Sequence, residues 1–463
     1  KEYLPIQGLE KLRESISINL KKKTGVNYPK ENILITPGSK EAMLLLHVAF
    51  NGEIILSAPS WVSYEPQAII GRNKVHWIET SRENNWFPTA KQLEKKIKSI
   101  KKKNLIFILN SPNNPSGTIC NNLKELAEVA KKYDLIILSD EIYTDLTFCN
   151  KYESISQYYP EKTFISGGLS KWCGAGGWRL GFLAVPKKLT EFLKSLKSLA
   201  SESYSTVNTP TQYASVEAYA EEHNLYKLKV RAILKAVGNY VYNNLKSNKI
   251  LIAPPQGAFY LMPEFKNKKY KSSSELCEAI LKDTGVAMLP GSDFGFKTKK
   301  MLTRLSYTDF DGKSYLSILK GEPAPTERIM YFELGYARAI RKGNWKYLAV
   351  RYPEHLEAMS EEKRRRVLEE WNAERYRKHL EIVTEDPKAP FSHLTAIPGG
   401  GHAESRSTGS YPGYFDSDQL YDLSQDPMEQ VNLAKDPVYQ ETLEEMQREM
   451  QIILSTLPGE FPL

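Results

Sequence analysis

Cysteine is scarce in this chain, and long apolar runs are absent. Its 463 residues include only Cys120, Cys149, Cys173 and Cys277, with no C-x-x-C spacing and no paired histidine beside them. That excludes the usual zinc and redox motifs and leaves free thiols in a reducing compartment as the expectation. No apolar stretch reaches the ~18 residues a membrane helix needs, and the opening KEYLPIQGLE has no apolar signal core, so a soluble, cytoplasmic protein that avoids membranes is expected. Histidine is thin as well. His355, His379, His393 and His402 are too scattered for a metal site, and no metal is expected. Gly399-Gly400-Gly401 is a lone glycine run that reads as a loop.

With 41% hydrophobic and 25% charged residues, the composition is that of a folded protein, long enough for two or three units of ~150 residues. The net charge of +8 is unevenly spread. Residues 1–310 hold 44 Lys and Arg against 29 Asp and Glu, whereas 311–463 hold 19 against 26. Lysine dominates the first segment (38 Lys, 6 Arg) and arginine the second (8 Lys, 11 Arg). The reversal places a seam near residue 311, with Gly321-Glu322-Pro323-Ala324-Pro325 as a linker-like run. The basic runs Lys21–Lys23, Lys95–Lys103 and Lys363–Arg366 have no interleaved aromatics and read as solvated faces, so no nucleic-acid partner is expected.

The first three hundred residues alternate short apolar runs with amphipathic stretches. Ile33–Thr36, Glu53–Ser57, Lys74–Ile78, Leu105–Leu109, Leu135–Leu138 and Thr163–Ser166 read as strands, the last three apolar enough to be buried on both faces of a parallel sheet. Asn122–Lys132 places Leu123, Leu126, Val129 and Ala130 on one helical face. The fold class is α/β, a mostly parallel sheet with helices on both faces, followed by a smaller α+β subdomain. In that second part Tyr336–Tyr352 reads as a hairpin turning at Lys342-Gly343-Asn344, and Glu361–Val383 as a charged helix. Asp436-Pro437 opens a final helix whose stripe is Leu443, Met446, Met450 and Ile453.

Several motifs carry chemistry. Ser170-Lys171 follows an apolar strand, and Arg179 lies eight residues on. Gly38-Ser39-Lys40 stands between a strand and the apolar helix Ala42–Phe50, where backbone amides can hold a phosphate. Asn110-Ser111-Pro112-Asn113-Asn114-Pro115-Ser116-Gly117 is a polar turn at a strand's carboxyl end, where α/β sheets bind ligands. Asp140, with Tyr143 three residues later, follows another buried strand, and Pro59-Ser60-Trp61 follows a third.

Taken in chain order, these residues resemble the class I, fold-type I aminotransferases, the aspartate aminotransferase-like family that uses pyridoxal 5'-phosphate, from Lys1 to about Asp311. The resemblance implies that Lys171 condenses with the cofactor aldehyde and then carries the proton between the substrate Cα and the cofactor. It implies that Asp140 holds the pyridine nitrogen, that Asn114 and Tyr143 bond the ring oxygen, and that Trp61 covers the ring face. Gly38, Ser39, Lys40, Ser170 and Arg179 would bind the phosphate. Arg304, in Thr303-Arg304-Leu305-Ser306, matches the arginine that takes the substrate α-carboxylate. Tyr3 matches a tyrosine that reaches a partner's cofactor, which implies a homodimer. The implied substrates are an amino acid and a 2-oxo acid, and a related lyase or decarboxylase on the same cofactor is the neighbouring chemistry.

Two departures accompany the match. Gly168 stands where the family often has a serine, and the family's pattern is already under way at Lys1 and is replaced after Arg304, which implies an aminotransferase-like domain, 1–310, truncated at both ends. In 311–463, the runs Asp311–Glu322, Ala337–Tyr347 and Gln419–Ala434 resemble the C-terminal subdomain of the sulfatase family. No cysteine here has the proline two residues later that the sulfatase C/S-x-P-x-R motif requires, so that subdomain comes without its catalytic motif. A sulfuric ester hydrolase and a non-catalytic chimera are the alternatives.

Overall fold

Leu105–Asn110 is apolar up to its final asparagine, is buried at every position, and forms a strand in a computed structural model of the chain. The structure describes residues 3–149, 152–220, 224–247, 249–266, 269–308, 329–334, 336–389, 392–396, 411–457 and 461–463. The seam near 311, the run Gly321–Pro325, His402 and Gly399–Gly401 lie outside the described residues.

The first unit, Lys1–Phe310, is built on seven strands: β1 (Ile33–Thr36), β2 (Glu53–Ala58), β3 (Lys74–Glu79), β4 (Leu105–Asn110), β5 (Ile136–Asp140), β6 (Thr163–Gly168) and β7 (Gly181–Ala184). Their order across the sheet is β1-β7-β6-β5-β4-β2-β3. The neighbours from β3 to β6 pair in parallel, and β7 runs antiparallel to both β6 and β1. Alternate side chains divide between two apolar layers, as the period of a strand dictates. Ile54, Leu56, Ile106, Ile108 and Leu138 pack with the helices Ser39–Ala49 and Thr190–Ser203, while Ile55, Phe107, Leu109 and Ile137 pack with Ala90–Lys98 and Leu123–Lys132. Each such Leu, Ile or Phe contributes roughly 1.5–3 kcal/mol by leaving water.

All six expected strands form, but most run one or two residues further than read, and β5 begins at Ile136 rather than Leu135. β7 was not anticipated. The helix Leu123–Lys132 buries Leu123, Leu126, Ala127 and Ala130, leaving Val129 only half-buried. The helix read as starting at Ala42 begins at Ser39, so Ser39 and Lys40 occupy its first turn. A smaller sheet of β9 (Tyr260–Leu261), β11 (Leu289–Pro290) and β12 (Thr303–Ser306), in the order β11-β12-β9, and a pair formed by β8 (Ile250–Leu251) and β10 (Glu264–Phe265), complete this unit's strands among the described residues.

The second unit, Asp311–Leu463, has a four-stranded antiparallel sheet, β13 (Ile329–Leu334), β14 (Ala337–Lys342), β15 (Trp345–Val350) and β16 (Asp418–Asp422). The anticipated hairpin is β14–β15, with Gly343 at φ 57° in its turn, a conformation that glycine adopts without strain. Leu443, Met446 and Met450 of the helix Gln440–Leu454 bury against Ile340, Tyr347 and Leu420, with Ile453 half-buried beside them. Two boundaries differ from the reading. Asp436 caps a short 3₁₀ turn, Pro437–Tyr439, that leads into this helix rather than the helix itself. The charged helix ends at Arg377, because His379 turns to φ 55° and Asn372 and Arg375 bond the carbonyls of Thr384 and Glu381 as the chain folds back.

Candidate active site

Three adjacent parallel strands end side by side, and each delivers a polar residue to the same cavity. Asn110 is the last residue of β4, Asp140 the last of β5, and Lys171 follows β6; in register, Asn110 pairs with Asp140, and Asp140 with Ser166. Carboxyl ends of parallel strands gather ligand groups because the crossover connections leave a crevice there. The cavity is about 590 Å³ and is lined by ten of the residues named from sequence: Ser39, Lys40, Trp61, Asn114, Asp140, Tyr143, Ser170, Lys171, Arg179 and Arg304. Asn110, Ile142, Gly176 and Tyr260 complete the lining.

One end is an anion cradle. The helix Ser39–Ala49 points its N-terminus there, with Gly38 as N-cap at φ 83°. Arg179, itself at φ 52°, lies across that terminus, donating from Nη1 to the Gly176 carbonyl at 2.8 Å and from Nη2 to the Pro37 carbonyl at 3.2 Å. A Cβ on Gly38 would come within 2.3 Å of Arg179 Nη2, so Gly38 supports the cradle from behind and does not line the cavity. Gly168, the departure from the expected serine, has a steric reason: a Cβ there would lie 2.7 Å from the Leu180 carbonyl oxygen.

At the other end Asp140 is almost completely buried, and Tyr64 Oη donates to its Oδ2 at 2.7 Å. Burial pushes the carboxyl up to about 6, against the hydrogen bonds of Tyr64 and the Ile142 amide and the nearby charge of Lys171. Burial also lowers the Lys171 amine; Asp140 pulls it up, while Arg304, Arg179 and Lys40 push it further down. Lys171 Nζ sits 5.8 Å from the Tyr143 ring centroid and 5.7 Å from that of Phe259.

The polar turn after β4 is pinned by its own amides. Asn110 Nδ2 donates to the Asp140 carbonyl at 2.9 Å, its Oδ1 accepts from the Asn114 amide at 2.8 Å, and Asn113 Oδ1 accepts from Ser116. Asn114 Oδ1 in turn accepts from Arg304 Nη1 at 3.0 Å. Arg304 Nε is buried without a hydrogen-bond partner. Trp61 is half-buried, edge-on to Tyr64 at 5.4 Å, with Lys40 Nζ 5.1 Å from its ring centroid. Tyr3 is 89% exposed and is not brought to this cavity.

Sequence reasoning assigned no role to Asn110, Tyr64 or Tyr260. Asn110 stood inside the quoted turn, and Tyr64, three residues after Trp61, opens the helix Tyr64–Ile70. Tyr260 comes from 117 residues beyond Tyr143, and nothing local marks it.

Residues 1–312 match the family model described as aminotransferase class I and II. Aromatic-amino-acid aminotransferase 2 of Thermococcus litoralis and the aspartate aminotransferase of Geobacillus stearothermophilus are each 32% identical to the chain, over 66% of it and 79% of their own length. Among solved structures, the aromatic aminotransferase of Pyrococcus horikoshii superposes with a TM-score of 0.62 at 30% identity, over 66% of this chain and 83% of that one. A variant of Thermus thermophilus aspartate aminotransferase gives 0.61 at 27% identity with the same coverage.

Proposed function

The chain belongs to the class I and II aminotransferase family and is a pyridoxal 5'-phosphate-dependent aminotransferase, and from that premise we propose that the cavity around Lys171 is where an amino group passes between an amino acid and a 2-oxo acid. The lining fits the cofactor on three counts. A helix N-terminus with Arg179 and Ser170 suits its phosphate. A buried carboxyl held up to about 6 makes no ion pair among the described residues, and a protonated pyridine nitrogen would supply one. Between these two ends stands an amine whose proton affinity is lowered, as condensation with an aldehyde requires.

When bound, the cofactor supplies an aldehyde to take up the amino group and a protonated ring that draws electrons from the substrate Cα. The protein's residues do the rest. Asp140, charged above about pH 6, keeps the ring nitrogen protonated. Lys171 accepts the proton that leaves the substrate Cα and returns it at a different carbon, a task suited to a partly desolvated amine. Tyr143 and Asn114 donate to the ring oxygen, and Trp61 walls one face. Arg304 has a buried Nε with no partner, and it receives the α-carboxylate as a planar donor. The observation that carries this reading is the convergence of Lys171 and Asp140 from adjacent strand ends on one cavity.

Lys171→Ala tests it. The variant should lose the absorbance of lysine-bound cofactor and its sensitivity to borohydride while keeping its circular dichroism; unchanged colour would sink the assignment. A homodimer is part of the proposal, supported by Tyr3 and by the exposed Ile69 and Ile70 at 65% and 64%, and sedimentation at the monomer mass would remove it. For residues 311–463 the proposal is a sulfatase-type C-terminal subdomain that adds no catalysis, supported by the quoted runs in 337–347 and 419–434; hydrolysis of an aryl sulfate by the chain would overturn it.

A further inference from the structure

Tyr260 touches both ends of the proposed chemistry, and none of the roles assigned above uses it. It sits on β9, whose partner strand β12 carries Arg304. Its ring lies under the Arg304 guanidinium, 4.7 Å from centroid to Cζ, with Phe294 on the same guanidinium at 5.3 Å. Its hydroxyl is 3.1 Å from the Tyr143 hydroxyl, and the two rings meet edge-on at 5.8 Å. Tyr260 is 6% exposed and Tyr143 3%, so neither phenol finds bulk water as an alternative partner. The charged groups facing this pair are Asp140 at the end of β5, Lys171 after β6, and Arg304 on β12.

A phenol has one proton to donate. If Tyr143 donates to the cofactor ring oxygen, its own oxygen is left to accept, and Tyr260 is the donor within reach. A cation over the Tyr260 ring withdraws electron density from it and makes its hydroxyl the stronger donor. We propose that Tyr260 is a positioning residue that couples the carboxylate end of the site to the cofactor end: its ring holds the Arg304 fork in plane, and its hydroxyl strengthens the bond that Tyr143 gives to the ring oxygen. The proposal rests on the roles given above to Lys171, Tyr143 and Arg304. Its consequence is that a carboxylate neutralising Arg304 weakens the donor chain and raises the proton affinity of the lysine-bound cofactor.

The test is a pH titration of cofactor absorbance in the full chain loaded with pyridoxal phosphate, without and with succinate or 3-phenylpropionate as a non-reactive carboxylate. In the wild type the midpoint should rise when the carboxylate binds. In Tyr260→Phe the carboxylate-free midpoint should already stand higher, by a three- to tenfold change in proton affinity, and the carboxylate-induced shift should shrink. Carboxylate affinity in this variant should stay within about twofold, because the ring remains under Arg304. Tyr260→Leu removes the ring as well and should weaken carboxylate binding about tenfold, with thermal denaturation checking that it folds. A Tyr260→Phe protein that titrates as wild type with the same shift, or a folded Tyr260→Leu protein with wild-type carboxylate affinity, overturns the coupling. A wild type with no lysine-bound absorbance instead overturns the reading of Lys171 on which the coupling stands.

Discussion

In residues 1–310 the Tyr64 hydroxyl donates to Asp140 at 2.7 Å, and in residues 311–463 the Tyr347 hydroxyl donates to Asp418 at 2.5 Å. The two carboxyls nevertheless end on opposite sides of their ordinary value. Burial pushes Asp140 up to about 6, and Tyr64, the Ile142 amide and Lys171 do not offset it. Burial also pushes Asp418 up, but the Tyr347 hydroxyl and the Arg351 guanidinium, 3.0 Å away, outweigh it and hold the carboxyl low. An acid that already has its cation is a structural fastening; an acid left short of one, at the mouth of a strand, is suited to a ligand that brings it. In the second unit Lys342 with Glu445 and Glu449 repeats the pattern.

The sharpest way to break this contrast is to remove both acids in turn. Asp140→Ala should slow single-turnover reaction with an amino acid by ~10²–10⁴-fold while cofactor affinity changes far less, because the phosphate contacts remain. Asp418→Ala should leave both unchanged. Equal losses of rate and affinity in Asp140→Ala would make that residue a binding group only.

Next in size is a test of whether each unit depends on its own core. Met450 is fully buried against β14 and β15, so Met450→Ala should cost the second unit about 2–5 kcal/mol, read as faster hydrogen exchange of the β14 and β15 amides. Absorbance of the lysine-bound cofactor in the first unit should not change. Its loss in a protein with intact β4 and β5 exchange would show that the site draws on the second unit's core.

Arg304→Lys replaces a planar fork with a point charge and should raise KM for amino acid and 2-oxo acid together, by roughly tenfold. If one substrate were affected alone, the shared-carboxylate role would be wrong.

The smallest effects are expected from the tyrosines, since each hydrogen bond is worth roughly 1 kcal/mol net. In cofactor-free protein Tyr64→Phe should move Asp140 above about 6, and Tyr347→Phe should move Asp418 upward from its depressed value. The linkage signs differ. Asp140, raised in the folded state, contributes stability that is full below its unfolded value of 3.8 and lost as pH rises through about 6; Tyr64→Phe carries that loss to higher pH. Asp418, lowered in the folded state, contributes stability present above 3.8 and lost as pH falls through its folded value; Tyr347→Phe makes that contribution smaller. Carboxyl titrations by NMR would read both, and an Asp140 midpoint unmoved in Tyr64→Phe would mean that the hydrogen bond is absent in solution.

What was legible in the sequence follows a physical division. Strands buried on both faces announce themselves as unbroken apolar runs, so β4, β5 and β6 were readable, and the polar residues at their carboxyl ends were readable with them. β7 escaped because Gly181–Ala184 is short and abuts the glycine-rich stretch after Lys171. The charged helix was read too long because Leu380, Ile382 and Val383 continue an apolar spacing that the left-handed turn at His379 interrupts. Tyr64 and Tyr260 were missed because their significance is a distance, to Asp140 and Tyr143, across 76 and 117 residues of chain. Residue type alone does not encode it.

Three glycines shape the anion cradle: a Cβ on Gly38 would strike Arg179, one on Gly168 the Leu180 carbonyl, and one on Gly181 the Ser39 amide at 2.3 Å. At Gly168 and Gly181 backbone is brought that close to backbone and has few torsions left to lose. Much of the donor surface at this end is therefore ordered before any anion arrives, Arg179 included through its bonds to the Gly176 and Pro37 carbonyls, and the ordering entropy of binding falls mainly on the Ser170 side chain. A substitution at any of the three should act as though it had diluted the cofactor, slowing its capture and hastening its release, while a molecule that had it bound would turn over at the ordinary rate.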